Sequence, residues 1–150
     1  METEIDESTR AFVSSHRVAR LATADGDGRP SVVPICYAFD GRHLYSPLDE
    51  KPKSVATERL KRVRNISINP RVSVVIDDYS DDWSKLAYVQ ISGSASIIDP
   101  ADHAEEHAGA VRLLRDKYPQ YRAMEIDKRP VIRITPISVK HWRADGADEQ

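Results

Sequence analysis

At 150 residues the chain is long enough for one domain and too short for two of ordinary size. Its 22 Lys and Arg against 24 Asp and Glu leave a formal charge of -2, which excludes the strongly basic balance of a general nucleic-acid binder. Forty per cent hydrophobic residues suffice for a core, no apolar run reaches the length of a membrane-spanning helix, and the single cysteine, Cys36, excludes an internal disulfide.

The start, METEIDESTR, is acidic and polar and has no signal-peptide core, so the expected compartment is a reducing cytoplasm. Ile5 to Ser15 reads as a short amphipathic helix with Ile5, Phe12 and Val13 inward. Arg17 to Thr23 reads as a strand. Ala24-Asp25-Gly26-Asp27-Gly28 follows, and Asp-Gly is a strong hairpin signal. Arg29 to Phe39 is expected as one long strand that bends, bulges or lies at an edge around Pro34, because proline removes a ladder donor. Asp40-Gly41 turns into a third strand, Arg42 to Ser46, completing an antiparallel meander.

The stretch from Asp49 to Pro70 stands against the global charge. It carries Lys51, Lys53, Arg59, Lys61, Arg62 and Arg64 in a slightly acidic protein, which points to an anionic partner. Ser54 suits an N-cap, and the residues after it suit a helix of three to four turns stopped at Asn69-Pro70. Lysines before a helix start, with its exposed amides, are a common way to hold phosphate. The competing reading is a solvated basic face.

Beyond it, Arg71 to Ile76 reads as a central strand, and Asp77 to Trp83 as an acidic loop anchored by Trp83. Leu86 to Ile98 is a fifth strand in which Gly93 marks a bulge or a close approach. Asp99 as N-cap and Pro100 at the first position open a helix that ends before Pro119, and Tyr121 to Ile126 adds a turn. Val131 to Trp142 is the sixth strand, broken at Pro136; residues 143–150 are expected as a flexible tail. Six mostly antiparallel short strands avoid open edges by closing, so the expected architecture is one α+β domain over residues 1–150: a small barrel with peripheral helices.

Several patterns resemble chemistry without carrying it. His103, Glu106 and His107 spell H-x-x-E-H, but no partner completes a ligand shell, so a solvated helix face is expected and no metal is assigned. Cys36 opposite His43 could make a nucleophile and base, yet a lone cysteine on an apolar strand reads as packing. The Asp77 to Asp82 carboxylates lack the spacing of a calcium loop. Trp142 reads equally as a core plug or a stacking platform. No acid–base dyad stands out, so no catalytic residue is assigned.

The order and spacing of ATADGDGRPSVVPICYAFDGRHLY, RVRNISINPRVSVVID and LAYVQISGSASII resemble the split-barrel flavoprotein superfamily of pyridoxamine-phosphate-oxidase-like proteins over roughly Phe12 to Trp142. Gly28-Arg29-Pro30 with Pro34, Lys61-Arg62, Arg64-Asn65, and Asn69-Pro70-Arg71-Val72 carry the likeness. Asp49-Glu50-Lys51-Pro52-Lys53 and Tyr79 to Trp83 are similar to the subgroup that uses the deazaflavin coenzyme F420. The resemblance implies a six-stranded antiparallel split β-barrel and a homodimer with the cofactor, F420 or alternatively FMN, at its interface. It implies that backbone at Val33, Pro34, Ile35 and Cys36 borders the cofactor ring, and that Ser46, Lys51, Lys53, Lys61 and Arg62 hold its phosphate tail, either basic pair being eligible. The activity implied is reduction of a small unsaturated or quinone-like substrate, with no nucleic-acid or membrane partner. A carrier that binds cofactor without turnover shares these features, and a haem protein would need His141 or His43 as axial ligand.

Overall fold

The structure is a computed structural model that describes residues 3–48 and 60–146. Helix α1 (Glu7–Ser15) starts where the Asp6 carboxylate accepts the Thr9 N–H at 2.8 Å. Ile5, Thr9 and Val13 recur at helical spacing and are buried, with Phe12 half-buried beside them. Strands β1 (Ala19–Ala24) and β2 (Pro30–Ile35) form the first hairpin. Its turn is held by Asp25, whose carboxylate accepts from the Asp27 and Arg29 amides, and Gly28 takes φ +85°. Strands β3 (Ala38–Phe39) and β4 (Leu44–Pro47) form the second, with Asp40 accepting from the Arg42 and His43 amides and Gly41 at φ +98°.

Helix α2 (Lys61–Ile68) precedes β5 (Arg71–Asp78), β6 (Ala87–Ile98), helix α3 (Ala104–Lys117) and β7 (Val131–Arg143). The seven strands form one antiparallel sheet in the order β2-β1-β5-β6-β7-β4-β3. Its two edges, β2 and β3, are consecutive in sequence and joined by Cys36 and Tyr37 alone. Three peptide steps reach at most about 11 Å. The sheet must therefore curl until its edges nearly meet, giving a split barrel.

The described residues form seven strands and not six because the expected strand from Arg29 to Phe39 breaks at Cys36-Tyr37, not at Pro34. Tyr118 causes the break. Its hydroxyl accepts the Tyr37 N–H at 3.1 Å and shares its one proton between the Arg17 carbonyl at 2.7 Å and the Tyr37 carbonyl at 3.0 Å, giving the Tyr37 backbone partners outside a ladder. Pro34 stays inside β2 opposite Arg20, tolerated because β2 is an edge strand.

Gly93 is both a bulge and a close approach. The β6–β7 register shifts at Ser92/Gly93, and a Cβ on Gly93 would lie 2.4 Å from the Thr135 carbonyl oxygen. The bulge absorbs Pro136, so β7 runs unbroken where a break was expected. The third helix begins four residues later than its Asp99-Pro100 signal. Asp99 instead makes a turn, its carboxylate accepting from Ala101 and its carbonyl from His103. Trp83 is 68% exposed and anchors nothing, contrary to expectation. Of the expected tail, Arg143 closes β7 and the Ala144 N–H bonds the Leu86 carbonyl at 2.9 Å, while 147–150 lie outside the described residues.

Two apolar clusters result. One fills the barrel and includes Val63 and Ile66 of α2; the other lies under α3, around Tyr45, Val111, Leu114, Tyr118 and Val131. Among the described residues no helix is long and apolar enough to cross a membrane.

Candidate functional site

Strand alternation splits the predicted ring-bordering residues between two sides. Ile35 is buried and Val33 half-buried against the barrel core, while Val32 and Pro34 face outward, Val32 being 63% exposed. What Val33 to Cys36 share is a backbone edge. Among the described residues β2 pairs only with β1, so its other edge has peptide groups free of the ladder. Cys36 is half-buried and packs on the cluster beneath α3.

Ser46 sits in β4, 1% exposed and paired with Ile132 of β7. Continuing the β3–β4 register, in which Ala38 faces Tyr45, sets Ser46 opposite Tyr37. The fold thus brings Ser46 and the Cys36-Tyr37 crossing to the same seam, although they stand ten positions apart in sequence.

Lys61 and Arg62 form the first turn of α2, Lys61 exposed and Arg62 half-buried. Leu60 occupies the N-cap in an extended conformation, so no helix runs through it from Ser54. Leu60 supplies no capping side chain, and the first turn has no acidic residue. The first turn therefore sets two cations at the positive end of the helix dipole, with no capping side chain from Leu60. Two anchors hold that turn: Val63 and Ile66 enter the barrel core, and the buried Asn65 donates to Thr23 of β1 at 2.9 Å. Asn65 and Thr23 both lie in stretches that carry the resemblance, but no role was assigned to either, because their pairing needs the tertiary fold. Lys51, Lys53 and the proposed Ser54 cap lie outside the described residues.

Glu106 and His107 do not form a solvated face. Glu106 accepts from the Tyr45 hydroxyl at 2.7 Å and from Arg133 Nη1 at 2.9 Å. Burial alone would raise the Glu106 pKa, but these bonds and the Arg133 charge bring it below the ordinary carboxylate value. Burial and the bond to Glu106 push the Tyr45 phenol well up. His107 is 2% exposed, its Nε2 2.6 Å from the Arg129 carbonyl. Glu106 and His107 thus dock α3, while His103 stays exposed at its N-cap, and among the described residues no group of three His, Cys, Asp or Glu is placed to hold a metal. His43 lies at the β3–β4 turn against Asp40 and Tyr45. His141 is bonded through Nδ1 to the Thr9 hydroxyl at 3.0 Å and packs on Phe12.

The outer face of the barrel holds an open concavity of about 570 Å³ lined by Arg20, Val75, Asp77, Tyr88 and Gln90. Arg20 and Asp77 pair across it at 3.2 Å. Tyr88 stacks on Trp142 with ring centroids 5.6 Å apart and planes at 28°, and Trp142 remains 40% exposed. Trp142 is therefore a surface platform and not a core plug.

The family model for pyridoxamine 5'-phosphate oxidase matches residues 5–143. Among solved structures, a FAD-binding protein from Mesorhizobium loti is 27% identical with a TM-score of 0.65, over 89% of this chain and 89% of that one. An F420 reductase is 21% identical with a TM-score of 0.62, over 91% of this chain and 98% of that one. The haem storage protein HutZ from Vibrio cholerae is 14% identical with a TM-score of 0.71, over 94% of this chain and 95% of that one. The last two likenesses speak for the fold, and the three neighbours are named for three different groups.

Proposed function

From the premise that the chain belongs to the pyridoxamine 5'-phosphate oxidase family, we propose that it is an oxidoreductase that binds a flavin-type cofactor, coenzyme F420 first and FMN as the alternative. The observation that carries this reading is the start of α2: Lys61 and Arg62 in a first turn that holds no acidic residue and follows a Leu60 with no capping side chain. Such a turn fits a phosphate, whose negative charge meets both the helix dipole and the two side chains. The free edge of β2 at Val33 to Cys36 fits the polar rim of a planar ring, since the backbone groups that point away from β1, with only a carbonyl at Pro34, are not used by a second strand among the described residues.

The cofactor supplies the hydride chemistry when bound. The chain's own part is to bind, orient and keep dry. Lys61 and Arg62 hold the anionic tail, Val33 and Ile35 give the edge an apolar backing, and Ser46 at the seam adds a buried hydroxyl. The substrate in this reading is a small unsaturated or quinone-like molecule.

The reading includes a homodimer with the site at its interface. The outer barrel face supports it, with Val32, Pro34, Val75, Tyr88 and Trp142 open to a second copy. Helix α3 adds no apolar face to that contact. Its apolar side, Ala110, Val111 and Leu114, is already buried against its own barrel.

Haem storage has less support, because His141 is committed to Thr9 and Phe12, and His43 lies against Asp40. A carrier is separated from an enzyme by oxidising the bound, reduced cofactor with a panel of quinones and enones. Turnover faster than the free cofactor is the expected result; equal rates would make the protein a carrier. Sedimentation tests the dimer: a monomer that binds cofactor at full affinity contradicts it.

A further inference from the structure

A buried cation stands directly behind the β2–β3 crossing. Lys117 ends α3, and its Nζ is sealed from solvent with no hydrogen-bond partner among the described residues. The amine lies 3.9 Å from the centroid of the Tyr37 ring and 5.4 Å from that of Tyr118. Tyr37 immediately follows Cys36, the last residue of the proposed ring-bordering edge, and Cys36 lies within electrostatic reach of the amine.

The groups facing Lys117 are few. The barrel seam contributes Cys36 and Tyr37, the end of α3 contributes Tyr118, and the segment before β1 contributes Arg17. Arg17 donates to the Lys117 carbonyl at 2.6 Å and lies 5.5 Å from the Tyr118 ring. None of these is a carboxylate. Burial and the Arg17 charge disfavour the ammonium form, while the aromatic faces favour it. Burial wins, and the Lys117 pKa is drawn down to about 8. Lysine elsewhere on a surface keeps its charge through the neutral range. This one gains or loses it there, one residue from the edge.

We propose that Lys117 is a positioning residue for the cofactor: a titratable charge behind the Val33 to Cys36 edge that tightens binding of an anionic cofactor while protonated and loosens it when the proton leaves. The inference rests on the cofactor reading given above. Lys117 acts through Tyr37 and Cys36 and touches no substrate, so a structural role alone would leave the pH profile of binding unmoved.

The test is the dissociation constant of FMN and of F420 from about pH 7 to about pH 9.5, for the unaltered protein, Lys117→Met and Lys117→Arg. The unaltered protein should lose about threefold to tenfold in affinity across that window. Lys117→Met should bind weakly with a flat profile, and Lys117→Arg, charged throughout, should bind tightly with a flat profile. If Lys117→Met fails to fold, the comparison with Lys117→Arg decides alone. Identical profiles for all folded proteins overturn the inference and leave the cofactor reading standing. Absence of binding by the unaltered protein overturns the cofactor reading and takes this inference with it.

Discussion

Replacing Gly93 by alanine tests the geometry of the barrel where it is tightest. The new Cβ would sit 2.4 Å from the Thr135 carbonyl oxygen, 3.2 Å from the Thr135 carbonyl carbon and 3.4 Å from Pro136 Cα. All three are backbone atoms, so no side chain can swing aside. Strand β7 must move away from β6 at the bulge, against the pairs Gly93–Pro136 and Ser94–Thr135. Overpacking of this kind costs about 1–3 kcal/mol, and a stretched ladder bond adds about 1 kcal/mol. Gly93 is not among the glycines with positive φ, so alanine gains about 0.4–1 kcal/mol from the less flexible unfolded chain. The net expectation is a loss of about 1–3 kcal/mol, or a fall of about 3–10 °C in Tm for a domain of this length. Gly109→Ala is the internal control. It lies in α3 with nothing within 4 Å of its new Cβ, and it should gain about 0.5–1 kcal/mol. Urea and thermal unfolding read both. A Gly93→Ala protein as stable as its parent would refute the close approach and the bulge it implies.

Three further outcomes follow. Glu106→Gln removes the charge that holds Arg133 and should cost about 1–3 kcal/mol in urea unfolding. Because the folded pKa of Glu106 lies below the ordinary value of 4.5, its stabilisation is present above that value and fades as the solution is made more acid. The Gln variant should lack that part of the acid loss. Lys117 gives a slope of the same sign in a higher pH window: its folded pKa of about 8 lies below the ordinary 10.5, so burying its charge opposes folding below about pH 8 and the penalty lifts above it. Melting temperature should therefore rise between about pH 7 and about pH 9.5 for the parent relative to Lys117→Met. Arg62→Ala and Lys53→Ala distinguish the two basic groups. If the α2 turn holds the phosphate, only the former should weaken the cofactor, about tenfold to a hundredfold, with little change in Tm.

The hairpins were readable because their determinants are local. Asp25 and Asp40 bond amides two to four residues on, and Gly28 and Gly41 take the positive φ that glycine permits. Gly93 was readable for the same reason in reverse, a missing side chain in an otherwise bulky strand. The break at Cys36-Tyr37 was not readable, since its cause, Tyr118, lies 81 residues away. Glu106 and His107 turned inward for a similar reason. Their partners, Arg133 and the Arg129 carbonyl, arrive only once the last strand is in place. In the candidate site, charge density pointed to Lys61 and Arg62. Their place at the helix start depends on Leu60 being extended, which no local pattern announced.

The central claim is that this chain binds a flavin-type cofactor through the first turn of α2. It is tested most directly by titrating the unaltered protein and Arg62→Ala with F420 and with FMN, following cofactor absorbance and fluorescence. The account predicts saturable binding of one of them by the parent and an affinity about tenfold to a hundredfold weaker for Arg62→Ala. Failure of the parent to bind either below about millimolar, roughly 4 kcal/mol of binding energy, or equal affinity in both proteins, would contradict it.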